Sequence, residues 1–384
     1  MKTKTKQITS YILILFLIAF AALLFAACSP NNEDYSYMVS KEYQPANVEI
    51  IENDKYDNIA IKLNENRDVK VLQLSDIHLG NGAMSVKKDR KAMQAVCKLI
   101  EKANPDLIVL TGDIVYPNSA LTGSSDNLSA LKIVINIMEK YQTPWTMCFG
   151  NHDAEYMADY GKSALCNLLE SEQYKYCLFK RGPENIGGLG NQVINIYNAD
   201  DSFNSSIFLF DNAEYAGATQ TSGYNPISLE QTNWYKNEIE KMNAGEGKTI
   251  LSFAYFHVPL KEYEIAWNLY RDGNLSVKHY FGWANENGEN ISAPDERGTF
   301  FDTAVELGST KAMFCGHNHL NDFSIEYQKI RLTFTKSIDY IAYFLQGIAN
   351  KTEQRGSTTL MIKGLNSQMT SDFDIYQTKL TDIE

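Results

Sequence analysis

Basic residues, histidine and cysteine are all scarce in this sequence, and each shortage limits what the protein can do. Its 384 residues include 35 Lys and Arg against 47 Asp and Glu, which gives a formal net charge of −12. A broad basic surface that follows a nucleic-acid backbone is therefore not expected, and no nucleic-acid partner is predicted. The same charge would repel an anionic substrate, so a positive field for one must be local, and bound metal ions would supply it.

The six cysteines form no CxxC pair. Five of them follow residue 28, and an odd number cannot all pair within one chain. Cys166 and Cys177 could form a disulfide in an oxidising compartment, or remain free. The other three lie in apolar helix or strand patterns and are expected to be small buried hydrophobic residues: Cys97, Cys148 and Cys315.

The N-terminus has the pattern of a targeting segment. Three lysines precede 17 uncharged, mostly apolar residues, 11–27, and Cys28 follows directly. This order is typical of a secretory signal. The stretch Leu24–Cys28 resembles a bacterial lipobox, with Phe25 where leucine is usual, and this resemblance predicts lipidation of Cys28. The alternative is an uncleaved membrane anchor, since 17 residues can just span a thin bilayer. Both alternatives predict a cell-envelope protein held at the membrane outside the cytoplasm.

The rest of the chain is predicted to be a short tether and one domain. Residues 28–47 are polar and without pattern, as in a tether. From residue 48 to 384, short apolar runs alternate with amphipathic stretches, which indicates βαβ units and a parallel sheet, an α/β fold. Residues 262–298 show little pattern and are interpreted as a loop or cap. No internal repeat suggests a second domain.

Five short motifs follow the predicted strands, where open α/β sheets bind their ligands. Five of the six histidines lie in these motifs, and only His279 is left over. Carboxylate, imidazole and amide oxygen together suit a first-row transition metal. Each motif alone is more often a turn, a helix cap or a core histidine, but all five in order predict a metal site. They are Asp76-Ile-His78, Gly112-Asp113, Gly150-Asn151-His152-Asp153, His257, and Gly316-His317-Asn318-His319.

This series resembles the signature of the calcineurin-like metallophosphoesterases over residues 69–337. The segments FHVPLKEY and GTFFDTAVELGSTKAMFCGHNHLNDF are similar to the single-domain, purple-acid-phosphatase-like branch of plants and fungi. The resemblance implies a two-sheet β-sandwich flanked by helices, in four layers α/β/β/α. It also implies two metal ions, Mn, Zn or Fe, and a small phosphate ester as substrate.

Carried over by matching motif, the family's roles define two adjoining metal sites that share Asp113. The resemblance implies that a hydroxide bridging the two metals attacks phosphorus, that Asn151 helps to hold the phosphoryl oxygens, and that His152 protonates the leaving oxygen. The first site would comprise Asp76, His78, Asp113 and His319, and the second Asp113, Asn151, His257 and His317.

Two residues near these motifs have open roles. Tyr116 matches the G-D-x-x-Y of purple acid phosphatases, in which the tyrosine binds ferric iron, but His78 could fill the same position. Tyr116 is therefore a ligand, a hydrogen-bond partner near the site, or a packing residue. Asp153, or another acid, could hold the imidazole of His152 in place.

Three functions remain open. A phosphomonoesterase is slightly favoured over a phosphodiesterase acting on a nucleotide or a lipid head group. A surface lipoprotein that binds without catalysis is the third, although every matched ligand is present. Four residues of the predicted cap could stack on a base or clamp a phosphate, or pack as ordinary loop residues: Tyr263, Trp267, Trp283 and Arg297.

Overall fold

The computed structural model describes residues 30–217, 223–286, 288–343 and 354–383. The predicted signal peptide, residues 1–27, and the predicted lipidation site Cys28 lie outside these ranges. No helix in the described ranges is both long and apolar enough to span a membrane.

Strands and helices alternate through the first half of the chain, as the sequence pattern predicts. The strands are β1 (Val48–Ile51), β2 (Ile59–Leu63), β3 (Val69–Leu74), β4 (Leu107–Thr111), β5 (Trp145–Cys148), β6 (Gln192–Tyr197), β7 (Phe203–Leu209), β8 (Leu251–Tyr255), β9 (Val277–Phe281), β10 (Thr310–Cys315), β11 (Ser324–Tyr327), β12 (Ile330–Phe334), β13 (Gly356–Ile362) and β14 (Phe373–Lys379). The helices are α1 (Val86–Ala103), α2 (Ser119–Thr122), α3 (Asn127–Tyr141), α4 (Lys162–Leu169), α5 (Leu229–Glu246), α6 (Lys261–Arg271) and α7 (Phe300–Leu307). Short 3₁₀ turns occupy Ser36–Met38 and Leu380–Asp382.

The strands form two mixed sheets. The larger has the order β1-β2-β6-β7-β8-β10-β12-β11-β9 and the smaller β14-β13-β3-β4-β5. Strands β3, β4 and β5 are parallel neighbours in the small sheet, and β8, β10 and β12 are parallel neighbours in the large one. Parallel neighbours bring their carboxyl ends to one edge, so each sheet offers one edge for the loops that carry the motifs.

Three apolar clusters hold these layers together. The middle cluster joins the facing sides of the sheets, with Val71 and Val109 against Ile207 and Phe314. A second packs α1 and α3 on the small sheet, and a third packs α5, α6 and α7 on the large sheet. The layers are therefore α/β/β/α, and the predicted fold is confirmed.

The prediction of a loop or cap at residues 262–298 is wrong for 15 of its 37 residues, which form most of α6 and all of β9. The apolar face of α6 consists of Tyr263, Ala266, Trp267 and Tyr270, at the helical spacing i, i+3, i+4, i+7. The first three are buried. This period is present in the sequence, but the polar and aromatic stretch around it was interpreted as a loop or cap.

The predicted tether also packs on the domain from residue 30 onward. Tyr35 is 1% exposed and Val39 is buried in the cluster under α1 and α3. Two buried apolar residues are too few to form a periodic pattern that would predict packing from the sequence. They nevertheless attach this segment to the domain. Cys166 and Cys177 are free thiols, so the possible disulfide is absent.

Candidate metal centre

The five motifs meet where the edges of the two sheets adjoin. Asp76, Asp113 and Asn151 follow β3, β4 and β5 of the small sheet, and His257 and His317 follow β8 and β10 of the large sheet. Each side chain enters the site just after its strand ends, as expected. The site lies between two sheets rather than along one.

Four of the motif residues have a left-handed backbone conformation. The φ angles are 52° at Asp76, 52° at His78, 51° at Asp113 and 72° at His317. Non-glycine residues rarely adopt this region, and such strain concentrates at functional sites. The backbone conformation thus marks residues that the motif pattern had already selected.

The motif glycines are needed for close approach more than for sharp turns. Of the three, Gly112 alone has a positive φ, 79°. A Cβ atom on Gly150 would lie 2.2 Å from the backbone N of Asp113, and one on Gly316 would lie 2.0 Å from Oγ of Ser75. Any side chain at these two positions would therefore push the strand-end loops apart.

The first group of side chains comprises Asp76, His78, Asp113 and His319, which are all buried. Their candidate ligand atoms all lie within 4.8 Å of one another. Nε2 of His78 is 3.2 Å from Oδ2 of Asp113, and Nε2 of His319 is 3.3 Å from Oδ1 of Asp76. Two carboxylates and two imidazoles at these separations suit one transition-metal ion.

The second group comprises Asp113, His257 and His317, beside the amide of Asn151. Nδ1 of His257 lies 2.8 Å from the carbonyl oxygen of Thr111. A carbonyl only accepts hydrogen bonds, so Nδ1 carries a proton, and Nε2 presents its lone pair whenever the ring is neutral.

Three other oxygen and nitrogen atoms lie close to Nε2 of His257. Nε2 of His257 is 3.2 Å from Oδ1 of Asn151, 3.2 Å from Oδ2 of Asp113 and 3.3 Å from Nδ1 of His317. These two oxygen atoms and two imidazole nitrogens form a donor set that suits a metal ion. The residues therefore fit a second metal ion, and Asp113 belongs to both groups.

Protons compete for the same atoms in the metal-free protein. Burial opposes a charged imidazole, but Asp113 outweighs it and raises the pKa of His257 to about 9. Burial and the neighbouring His257 lower the pKa of His317 to about 3. Burial likewise opposes ionisation of Asp113, yet His257 and His152 hold the pKa of its carboxyl well below the usual range. The carboxylate of Asp113, which belongs to both ligand groups, thus stays anionic and can bind a cation.

Asp339 is a functional residue that the sequence pattern missed. It follows β12 on the same edge, and its two oxygens face two histidines of the first group. Oδ1 lies 3.4 Å from Nδ1 of His78, and Oδ2 lies 3.3 Å from Nδ1 of His319. A carboxylate behind a ligating imidazole fixes its orientation and raises its basicity. The position of Asp339 beyond a parallel strand was the available signal.

His152 is oriented by Glu155 and not by Asp153. Nδ1 of His152 is 3.1 Å from Oε2 of Glu155, which is buried. Asp153 instead accepts hydrogen bonds from four backbone N–H groups, of residues 113, 114, 115 and 150. Asp153 therefore joins the loops after β4 and β5, and the backbone N–H of His152 donates to Oδ1 of Asp113 at 2.8 Å.

Comparison with known proteins agrees with this geometry. The family model of the calcineurin-like phosphoesterases matches residues 69–321. The chain belongs to this family. It is a phosphoester hydrolase, and its two ligand groups correspond to a dimetal site.

Two eukaryotic proteins are among its relatives. The chain is 26% identical over 311 residues to "Probable inactive purple acid phosphatase 29" of Arabidopsis thaliana, covering 74% of this chain and 75% of the relative. It is 28% identical over 279 residues to "Phosphatase DCR2" of Saccharomyces cerevisiae, covering 67% of this chain and 45% of the relative. A solved dimetal phosphatase from Danio rerio shares the fold, with a TM-score of 0.50, 10% identity, and coverage of 82% of this chain and all of that one.

Tyrosines surround the metal ligands of this phosphoesterase. The ring of Tyr116 is 5.1 Å from that of His78 and 5.0 Å from that of His152, beside the site. Nδ2 of Asn151 donates to the hydroxyl of Tyr215 at 3.1 Å. The ring of Tyr224 lies 4.9 Å from His317, and that of Tyr343 lies 4.3 Å from His319. No sequence period marks these residues, since each comes from a different place in the loops.

The predicted cap residues have other partners. Tyr263 is buried and donates its hydroxyl to the carbonyl oxygen of Met313, and Nε1 of Trp267 donates to Glu289. Trp283 packs edge-on against Trp267. Arg297 pairs with Glu262 and Asp302, each at 2.7 Å. These contacts correspond to the packing alternative.

Proposed function

We propose that the protein is a phosphomonoesterase in which His152 gives a proton to the leaving oxygen. The observation that carries the proposal is the tyrosine wall around an intact ligand set. Tyr116, Tyr215, Tyr224 and Tyr343 stand around the ligands, and crowding by these four rings would favour a phosphoryl group with one substituent over a diester with two. The intact ligands favour catalysis over binding alone.

Each residue of the site has a separate role in the proposed reaction. Two bound metal ions would neutralise the phosphoryl oxygens and lower the pKa of the attacking water. Asn151, fixed by its hydrogen bond to Tyr215, presents its amide to a phosphoryl oxygen. Glu155 holds Nδ1 of His152, so that Nε2 is the atom left to protonate the leaving alkoxide, a contribution of about 10²–10⁴ in rate.

The test compares para-nitrophenyl phosphate with bis-para-nitrophenyl phosphate after loading with Mn, Zn or Fe in turn. We expect faster hydrolysis of the monoester and its loss in His152→Ala, with metal content unchanged. Faster hydrolysis of the diester would replace this proposal with the phosphodiesterase. Metal binding without turnover of either ester would favour the binding lipoprotein.

We also propose that the chain is attached to a membrane at Cys28, as the sequence predicts. The proposal is supported by the basic, apolar and small-residue order of residues 2–28. Mass spectrometry of the purified chain should find a lipid on Cys28 and none in Cys28→Ala. An unmodified Cys28 in a chain that starts at Met1 would mean an uncleaved anchor.

A further inference from the structure

The point where the N-terminal segment joins the domain lies beside the metal centre. Pro30 forms a β-bridge with Gly82, four residues after His78. The backbone N–H of Asn31 donates to the carbonyl oxygen of Asn81, and that of Asn32 to its side-chain oxygen, both at 2.8 Å. The chain is therefore attached to the domain from residue 30, two residues after Cys28.

This short connection limits how the domain can sit at a membrane. Two residues span at most about 7 Å, whereas a domain of this size is roughly 50 Å across. A membrane attachment at Cys28, or an anchor that ends at residue 27, holds the edge around Gly82 near the bilayer. The opposite edge cannot reach it.

The same edge carries a cationic stretch in an acidic protein. The first turns of α1 contain four basic residues, Lys87, Lys88, Arg90 and Lys91. All of these except Lys88 are exposed. The acid among them, Asp89, is buried and accepts from the backbone N–H groups of residues 80 and 81. Arg90 pairs with Glu33 of the leading segment at 2.8 Å. The exposed Lys87 and Lys91 favour an anionic surface.

This stretch connects to the metal ligands indirectly, through Tyr340 and Asp339. Nζ of Lys91 lies 6.0 Å from the ring centre of Tyr340, the residue after Asp339. Asp339 in turn contacts His78 and His319.

Exposed apolar side chains lie in the neighbouring loops. Met84 is 57% exposed and Tyr156 is 86% exposed. The loops are continuous, because the backbone N–H of Met84 donates to the carbonyl oxygen of Thr122, and that of Asp159 to Ser125. Apolar side chains beside basic ones are typical of surfaces that lie on a lipid interface.

We propose that this edge docks on an anionic lipid bilayer, so that the metal centre faces the membrane surface. The substrate would then be a lipid whose head group ends in a phosphomonoester. The docking rests on the proposed membrane attachment together with this geometry, and the substrate class rests on the proposed phosphomonoesterase activity.

The docking test uses the full chain reconstituted in anionic vesicles that carry nitroxide-labelled lipid head groups. A fluorophore is placed at Met84→Cys, or at Leu275→Cys as the matched control, in a Cys177→Ser background, because the other described cysteines are buried. Leu275 is 98% exposed and precedes β9 at the opposite edge. We expect quenching several-fold stronger at position 84. Equal quenching, stronger quenching at position 275, or no association with vesicles would overturn the proposal.

The substrate test compares a vesicle lipid with a terminal phosphate against soluble para-nitrophenyl phosphate. Lys87→Glu with Lys91→Glu should slow hydrolysis of the lipid at least about tenfold, since each basic residue strengthens attachment to an anionic surface roughly fivefold. Hydrolysis of the soluble ester should not change. The control, Lys248→Glu with Lys329→Glu at the opposite edge, should affect neither.

The outcomes separate the two proposals. Equal loss in both double variants, or no loss in the first, would overturn the lipid substrate. If the wild type hydrolyses neither ester, the proposed function fails, and the quenching ratio still decides the docking.

Discussion

Replacing Asp339 by asparagine should weaken one of the two metal sites and leave the other intact. Asp339 is 2% exposed, and its Oδ1 accepts from the backbone N–H groups of Ile341 and Ala342 at 2.6 and 2.8 Å. The amide oxygen of the asparagine will keep that position, beside His78. Its NH₂ group must then face Nδ1 of His319, which also carries a proton when Nε2 binds metal.

The magnitude follows from this loss of one oriented ligand. Removing a carboxylate behind a ligating histidine costs about 10–100-fold in metal affinity, or roughly 1.4–2.8 kcal/mol. The second site, with His257 and His317, has no contact with Asp339 among the described residues. The metal affinity of the first site should therefore fall, and the metal affinity of the second site should not change.

Isothermal titration of the metal-free protein with Zn²⁺ or Mn²⁺ measures both affinities. The control is Asp106→Asn, which also removes a buried ion-paired carboxylate, but at the far end of β4, where it binds Arg67. That variant should lose stability and keep both sites. Two unchanged affinities in Asp339→Asn, or an equal loss in Asp106→Asn, would refute the reasoning.

Three further changes test other parts of the site. Glu155→Gln should slow hydrolysis of alkyl phosphates more than that of dinitrophenyl phosphate, because a good leaving group needs no proton from His152; equal slowing of both would contradict the positioning role. Gly150→Ala should abolish metal binding, since its Cβ would lie 2.2 Å from the backbone N of Asp113, and a normal metal content would disprove this clash. Metal uptake at pH 7 should release protons, because the pKa of His257 is about 9 without metal, so affinity should rise with pH up to about 9; titration in buffers of different ionisation enthalpy measures the release, and zero release would contradict it.

The strands that carry the motifs could be predicted because each is a short apolar run followed by a polar turn. The prediction missed helix α6 although its apolar residues recur at helical spacing, because the segment around it is polar and aromatic with little other pattern. Its packing partner, the large sheet, is assembled from distant segments and is not visible in a local pattern.

The residues behind the ligands were harder to predict than the ligands. Asp153 lies next to His152 in sequence, but the turn directs its carboxylate to four backbone N–H groups, and Glu155 reaches the imidazole instead. Asp339 has no motif, and its role depends on how β12 pairs with β10. Such contacts are set by the three-dimensional arrangement of loops, which sequence spacing does not encode.

The most direct test of the account is to count metal ions and measure turnover of para-nitrophenyl phosphate in the wild type and in Asp113→Asn. Asp113 belongs to both ligand groups. We predict two ions per chain with hydrolysis in the wild type, and loss of both ions and of hydrolysis in the variant. Full hydrolysis by Asp113→Asn, or hydrolysis by a wild type without metal, would contradict a phosphatase built on two bridged metal sites.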